Sequence, residues 1–163
     1  MFIRKLMLAL SLVSAVAVPW TVSAADQDHD QPYSLGSLDG EFALVGTYTG
    51  GIARQLGVVH FKDGDATGYL RVNVQGATPA QRVVVYITFA GTTTLADDGS
   101  GVATLTVTYP DGTLHPATLD FLVTKAQETR GIKIATEIES MQRETPALSP
   151  GALIVGTLTR RPQ

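Results

Sequence analysis

From Gly40 to Arg161 the chain is a run of short stretches in which apolar and polar residues alternate, each ended by a turn rich in Gly, Asp or Pro. About eight such stretches recur at the roughly 8–12-residue spacing of an all-β barrel or sandwich. Alternation with period two sends successive side chains to opposite sides of a strand. Each stretch therefore has one side to bury, and a closed or layered sheet is the way to bury them together. Helical patterning is confined to residues 125–130, and residues 127–130 there read as a hairpin loop.

The stretches fall at residues 41–49, 54–62, 67–75, 82–95, 102–109, 117–125, 131–140 and 153–161. In the first, Phe42, Leu44, Gly46 and Tyr48 share a side. In the second the shared side holds Gly57, Val59 and Phe61, and Asp63-Gly64 closes it with a strong hairpin signal. The fourth is too long to run straight, and Gly91 in its middle marks a bulge or bend. Pro110-Asp111-Gly112 is a turn in which Pro presets φ and Gly permits positive φ. In the seventh, Ile132, Ile134 and Ile138 oppose Lys133, Glu137 and Glu139.

Sequential strands joined by short turns favour a meander, and an open meander leaves two bare edges that invite aggregation. Pairing the last strand with the first removes both. The expected fold is an eight-stranded antiparallel up-and-down β-barrel, with a β-sandwich as the alternative. Apolar content puts Phe42, Leu44, Tyr48, Val59, Phe61, Phe89, Leu105, Val107, Leu119, Phe121, Ile134, Ile138, Ile154 and Leu158 inside. An eight-stranded interior is filled by its side chains or holds one small ligand. For the second case the candidate ligand-binding residues are Phe42, Tyr48, Phe61, Phe89, Phe121 and Arg71, and an inward Arg71 or Asp120 would supply a buried charge in need of a partner.

Arg4 and Lys5, an uncharged apolar run from Leu6 to Val18, and the small residues Val22-Ser23-Ala24 form a secretory leader pattern, with cleavage after Ala24. The expected organisation is a signal peptide at 1–24, a flexible acidic leader at 25–39 and a barrel domain at 40–163, in a periplasmic or secreted protein. The chain carries twelve basic and fifteen acidic residues, and loss of Arg4 and Lys5 leaves ten against fifteen, a formal charge of −5. That surface argues against nucleic acid or anionic lipid as partner. No second apolar run is long enough to span a membrane as a helix. With no Cys there are no disulfides, so stability rests on core burial and closed backbone pairing.

The segment Leu44-Val45-Gly46-Thr47-Tyr48, with Arg160 and Arg161 on the last strand, resembles the calycin arrangement of lipocalin- and avidin-like barrels. In that arrangement a Gly-x-Trp on the first strand packs under an Arg from the last, and Tyr48 stands where the Trp would be. The rhythm Gly57-Val58-Val59-His60-Phe61, Phe89-Ala90-Gly91-Thr92, Asp98-Gly99-Ser100-Gly101, Leu119-Asp120-Phe121 and Gly156-Thr157-Leu158 is similar to small exported bacterial barrel proteins. Residues 91–107 resemble an avidin hairpin, but avidin sites are walled by Trp and Trp20 leaves with the leader, so no biotin residues carry over.

Catalytic patterns are missing. There is no Cys nucleophile, no G-x-S-x-G elbow, no phosphate loop and no paired-His metal spacing. Asp63-Gly64-Asp65-Ala66-Thr67 matches the start of a phosphatase or calcium loop, but it reads as a hairpin turn: the fold lacks helices, and Val74 stands where a bidentate Glu is needed. His60 faces solvent between Val59 and Phe61. No cofactor is expected. The reading is an exported module that binds a small lipophilic molecule inside the barrel. The alternatives are a structural or protein-interaction module with a solid core and an outer patch at Val84, Tyr86 and Leu122, and a small isomerase- or cyclase-like enzyme with a titratable group in a cavity.

Overall fold

A computed structural model describes residues 31–163 apart from 79, 145, 149, 150 and 163. The signal peptide expected at 1–24 and the leader up to residue 30 lie outside the described residues. Eight strands follow one another: β1 Gly40–Tyr48, β2 Arg54–Lys62, β3 Asp65–Gln75, β4 Arg82–Leu95, β5 Ser100–Thr108, β6 Leu114–Thr129, β7 Ile132–Gln142 and β8 Ile154–Arg160. Each pairs with its sequence neighbours, and β8 pairs antiparallel with β1 from Phe42↔Arg160 to Tyr48↔Ile154, which closes the barrel. The sandwich alternative is thereby excluded.

Local chemistry accounts for the turns. Asp63 (φ 51°) and Gly64 (φ 91°) both take the left-handed conformation that a tight two-residue hairpin requires. Arg130 (φ 53°) and Gly131 (φ 75°) do the same, so the hairpin loop expected at 127–130 is displaced and β6 runs on to Thr129. β6 also starts earlier than expected, at Leu114, with Pro116 paired to Thr106. β7 joins β6 only from Leu119 onward, so Pro116 lies where β6 has a strand on one side, a setting that tolerates the missing N–H.

The expected strand irregularity lies elsewhere. Gly91 carries no bulge: the pairing Ala90↔Thr106, Gly91↔Leu105, Thr92↔Thr104 runs without a shift. A Cβ at Gly91 would sit 2.0 Å from the Thr104 carbonyl oxygen, so the glycine serves the close approach of β5. The irregularity lies between β6 and β7, where the register shifts on either side of Lys125. Pairing passes from Val123↔Ile138 through Lys125↔Glu137 to Ala126↔Ala135, so Thr124 and Thr136 drop out and β7 changes phase. Ile138 is buried as expected. Ile134, expected beside it, is outside the core, and Ala135, 0% exposed, takes the inner place.

The barrel end that holds the start of β1 and the end of β8 is closed by residues 33–39. The Tyr33 amide donates to the Asp97 carbonyl, and a 3-10 turn at Leu35–Ser37 tucks Ser37 and Leu38 out of solvent. This part of the expected leader is packed against the barrel. Arg160 is the latch: its guanidinium donates to the carbonyls of Asp39 (2.6 Å), Ala135 (2.6 Å), Ser37 (3.2 Å) and Leu38 (3.2 Å) and lies 4.6 Å from the centre of the Phe42 ring. Desolvation holds its pKa below the usual arginine range, an effect partly offset by Asp39. The calycin resemblance put Tyr48 in the aromatic role. The structure puts Phe42 there, because antiparallel β8 brings its last residues to the beginning of β1 and not to its end. Arg161 points elsewhere and pairs with Glu41.

Candidate ligand-binding cavity

The interior is not filled. A cavity of about 180 Å³ occupies the barrel above the Phe42–Arg160 floor. Its walls are inward residues of successive strands, among them Leu44, Val59, Phe61, Leu70, Ile87, Phe89, Leu105, Phe121, Ile154 and Leu158. The space exists because the inward positions include Ala66, Ala103 and Ala117, too short to meet the opposite wall. Leu105, Val107 and Leu119 pack against the core while remaining only partly buried.

Of the six residues singled out in the sequence, Tyr48, Phe61, Phe89 and Phe121 line this cavity together. Phe42 is fully buried beneath it, edge-on to Phe61 with ring centres 5.5 Å apart. Arg71 is not in the cavity. Leu70 and Val72 on either side of it are buried, so strand alternation turns Arg71 outward, where its guanidinium sits 5.3 Å from the Tyr86 ring centre. Asp120 also stays outside, in a two-pronged pair with Arg143 (2.6 and 2.8 Å) that holds its carboxyl below the usual range. Among the described residues, no Lys, Arg, Asp or Glu lines the cavity.

The polar lining groups gather at one end. Tyr48 ends β1, Gln55 begins β2 one residue in, Tyr109 follows β5, His115 begins β6 one residue in and Gln142 ends β7. All of these positions lie at the end opposite the Arg160 latch. Buried Pro146 and neighbouring Ala147, from the β7–β8 connection, complete this mouth. Tyr48 is 3% exposed, and burial, aided by Tyr109, pushes its phenol far above the ordinary value of 10.0. Burial raises Tyr109 as well, and the His115 ring stands edge-on to it at 5.0 Å. Gln55 is 4% exposed, and its Oε1 is buried with no hydrogen-bond partner among the described residues. Its amide lies across Gly46, where an added Cβ would come within 2.5 Å of Nε2.

Sequence reasoning missed Gln55, Tyr109 and Gln142 as site residues. The signal was present: Gln55 shares parity with Gly57, Val59 and Phe61, and Gln142 with Ile138. Sorting residues by polarity overrode the alternation that placed them inside.

The lining is mostly apolar, with neutral polar groups at the mouth. Burial raises the Tyr48 pKa, so its phenol stays protonated and able to donate a hydrogen bond, and it is a poor general acid at neutral pH. Among the described residues no three His, Cys, Asp or Glu come together as metal ligands. The outer apolar residues Val84, Tyr86 and Leu122 do not form one patch. Val84 and Tyr86 lie on β4 beyond Thr88, which pairs with the last residue of β5, whereas Leu122 pairs with the first residue of β5.

Neither a protein-family model nor a curated protein matches the chain. Among solved structures it is similar to a redesigned β-barrel, mFAP1, bound to DFHBI, at 16% identity and TM-score 0.47 over 77% of this chain and 97% of that one. It is also similar to the redesigned β-barrel b11L5F_LGL, at 13% identity and TM-score 0.49 over 80% of this chain and 97% of that one. A third such structure, EF1p2_mFAP2b bound to DFHBI, is similar at 15% identity and TM-score 0.48 over 77% of this chain and 95% of that one.

Proposed function

We propose that this protein is an exported, non-enzymatic carrier of a small apolar molecule held inside the barrel. The observation that carries this reading is the cavity of about 180 Å³, walled by aromatic and aliphatic side chains and reached through a polar mouth. Export rests on the leader pattern of Arg4, Lys5, the apolar run and Val22-Ser23-Ala24. A calycin-like ancestry is supported by the packing of Arg160 on Phe42 across the closed end. The structural-module reading loses support because the interior is hollow and the outer patch expected at Val84, Tyr86 and Leu122 does not form. Native mass spectrometry of the protein secreted by its own host tests the proposal. An added mass in the range of a small organic molecule, released on denaturation, supports it. A bare polypeptide mass that also fails to take up small aromatic compounds contradicts it.

A further inference from the structure

We infer that the cavity takes a narrower class of guest: a compact, uncharged aromatic molecule whose mouth-facing end carries a hydrogen-bond acceptor such as a ketone or aldehyde carbonyl. This rests on the carrier reading above and adds to it the size, charge and polarity of the guest.

Size and charge bound the class. An engineered apolar cavity of about 150 Å³ takes up benzene. At about 180 Å³ the cavity here suits one or two fused rings, and Phe61, Phe89 and Phe121 offer them aromatic walls. Among the described residues, no Lys, Arg, Asp or Glu lines the cavity. A carboxylate or ammonium guest would leave water with no buried counter-charge to receive it, which is strongly unfavourable.

Polarity is set by the wall that β1 and β2 share. Tyr48 is 3% exposed and Gln55 4%. Both line the cavity, and neither side chain has a hydrogen-bond partner among the described residues. They are neighbours. Gln55 pairs across the sheet with Gly46, and its amide lies over that glycine, where any Cβ would collide with Nε2. Tyr48 stands two residues further along the same side of β1, about 7 Å on by strand rise. The Gln55 carbonyl oxygen is buried away from the cavity, which leaves the amide nitrogen as the end a guest can reach. That nitrogen only donates, and burial keeps the Tyr48 phenol protonated and able to donate. The other hydroxyl of the buried wall, Ser140, already donates to the Gly156 carbonyl at 3.1 Å. One carbonyl on the guest, with two lone pairs, can accept from both open donors. A guest that only donates could use the phenol oxygen but would leave the amide N–H bonds unanswered, which is costly in a buried site.

The test is calorimetric titration of the folded protein with three bicyclic probes: 1-indanone, indane, which has the same rings without the carbonyl, and indole, which donates and does not accept. Octanoate serves as the anionic control. Indane leaves water more readily, yet the ketone is expected to bind at least as tightly as indane and more tightly than indole. Tyr48→Phe should weaken 1-indanone about tenfold, the scale of one buried hydrogen bond, and leave indane unchanged or improved. Gln55→Met should weaken the ketone as well. If Tyr48→Phe fails to fold, the infrared carbonyl stretch of 1-indanone bound to the unmodified protein takes its place, and is expected at lower frequency than for the ketone in cyclohexane. An unshifted stretch, or indane or indole binding more tightly than the ketone, would overturn the acceptor requirement while leaving the carrier reading intact. Equal losses for ketone and indane in Tyr48→Phe would overturn the assignment to Tyr48, and unchanged ketone affinity in Gln55→Met the assignment to Gln55. Octanoate binding more tightly than the ketone would overturn the exclusion of charge. No binding of any of the four would remove this inference and the carrier reading together.

Discussion

Arg160 satisfies four backbone carbonyls from two separate parts of the chain and lies against Phe42, so its removal strands several buried acceptors at once. Arg160→Met is expected to destabilise the barrel by about 3 kcal/mol, the scale for loss of a partly buried charged hydrogen-bonding group. Arg160→Lys should recover less than half, since one ammonium cannot reach the same spread of acceptors. Urea unfolding midpoints measure both. Burial of Tyr48 should lower stability at alkaline pH. Its folded pKa is raised, so the fold favours the protonated phenol. That contribution is complete below the unfolded value near 10 and is lost as pH rises from there toward the folded value. Tyrosinate absorbance should therefore show Tyr48 ionising only with loss of structure, and Tyr48→Phe should flatten the decline above pH 10. Ionisation of Tyr48 in the intact barrel at the ordinary pH would contradict this account. At this scale the sequence was legible where residue type and parity agreed, as at Phe61, Phe89 and Phe121. It misled at Arg71, where a buried role was inferred for a side chain between two inward residues, and at Gln55, where polarity hid an inward position.

Strands β2 and β4 fall where alternation and Asp-Gly or Gly-rich turns put them. β6 and β7 do not, for two reasons. Pro116 looks like a breaker in a sequence but is harmless where β6 has one neighbour, and the dropped pairing of Thr124 and Thr136 has no residue signature comparable to Asp-Gly. The phase change can be measured. Ile138→Ala should cost about 2–4 kcal/mol as a buried large-to-small change. Ile134→Ala should cost under about 1 kcal/mol, because its side chain is outside the core. Equal costs would show an unshifted β7. The turn at Leu35–Ser37 was also hidden from sequence. Ser37 and Leu38, both buried, sit at the end of a polar segment, and they are held by the Arg160 latch, the Tyr33–Asp97 hydrogen bond and the packing of Leu38 in the core.

The whole molecule follows from closure. Antiparallel pairing of β8 with β1 leaves the barrel without a first or last edge and sets Arg160 against Phe42 at one end, while the longer connection between β7 and β8 crosses the other. One end is sealed by the chain itself, and the mouth carries the polar groups. Closure was legible from strand number and turn length. The cavity was not, because whether an eight-stranded interior is full depends on where short residues such as Ala66 and Ala103 fall against the long side chains across the barrel, and that requires the register. The most direct test is a methyl NMR titration with indole, read in the unmodified protein and in Ala103→Trp, whose ring should fill the cavity. The account expects the methyl signals of Leu44, Val59, Leu70 and Ile87 to shift saturably in the first and stay still in the second, with outer Val45 and Val83 unmoved in both. Shifts confined to the outer methyls, or undiminished in the filled variant, would contradict it.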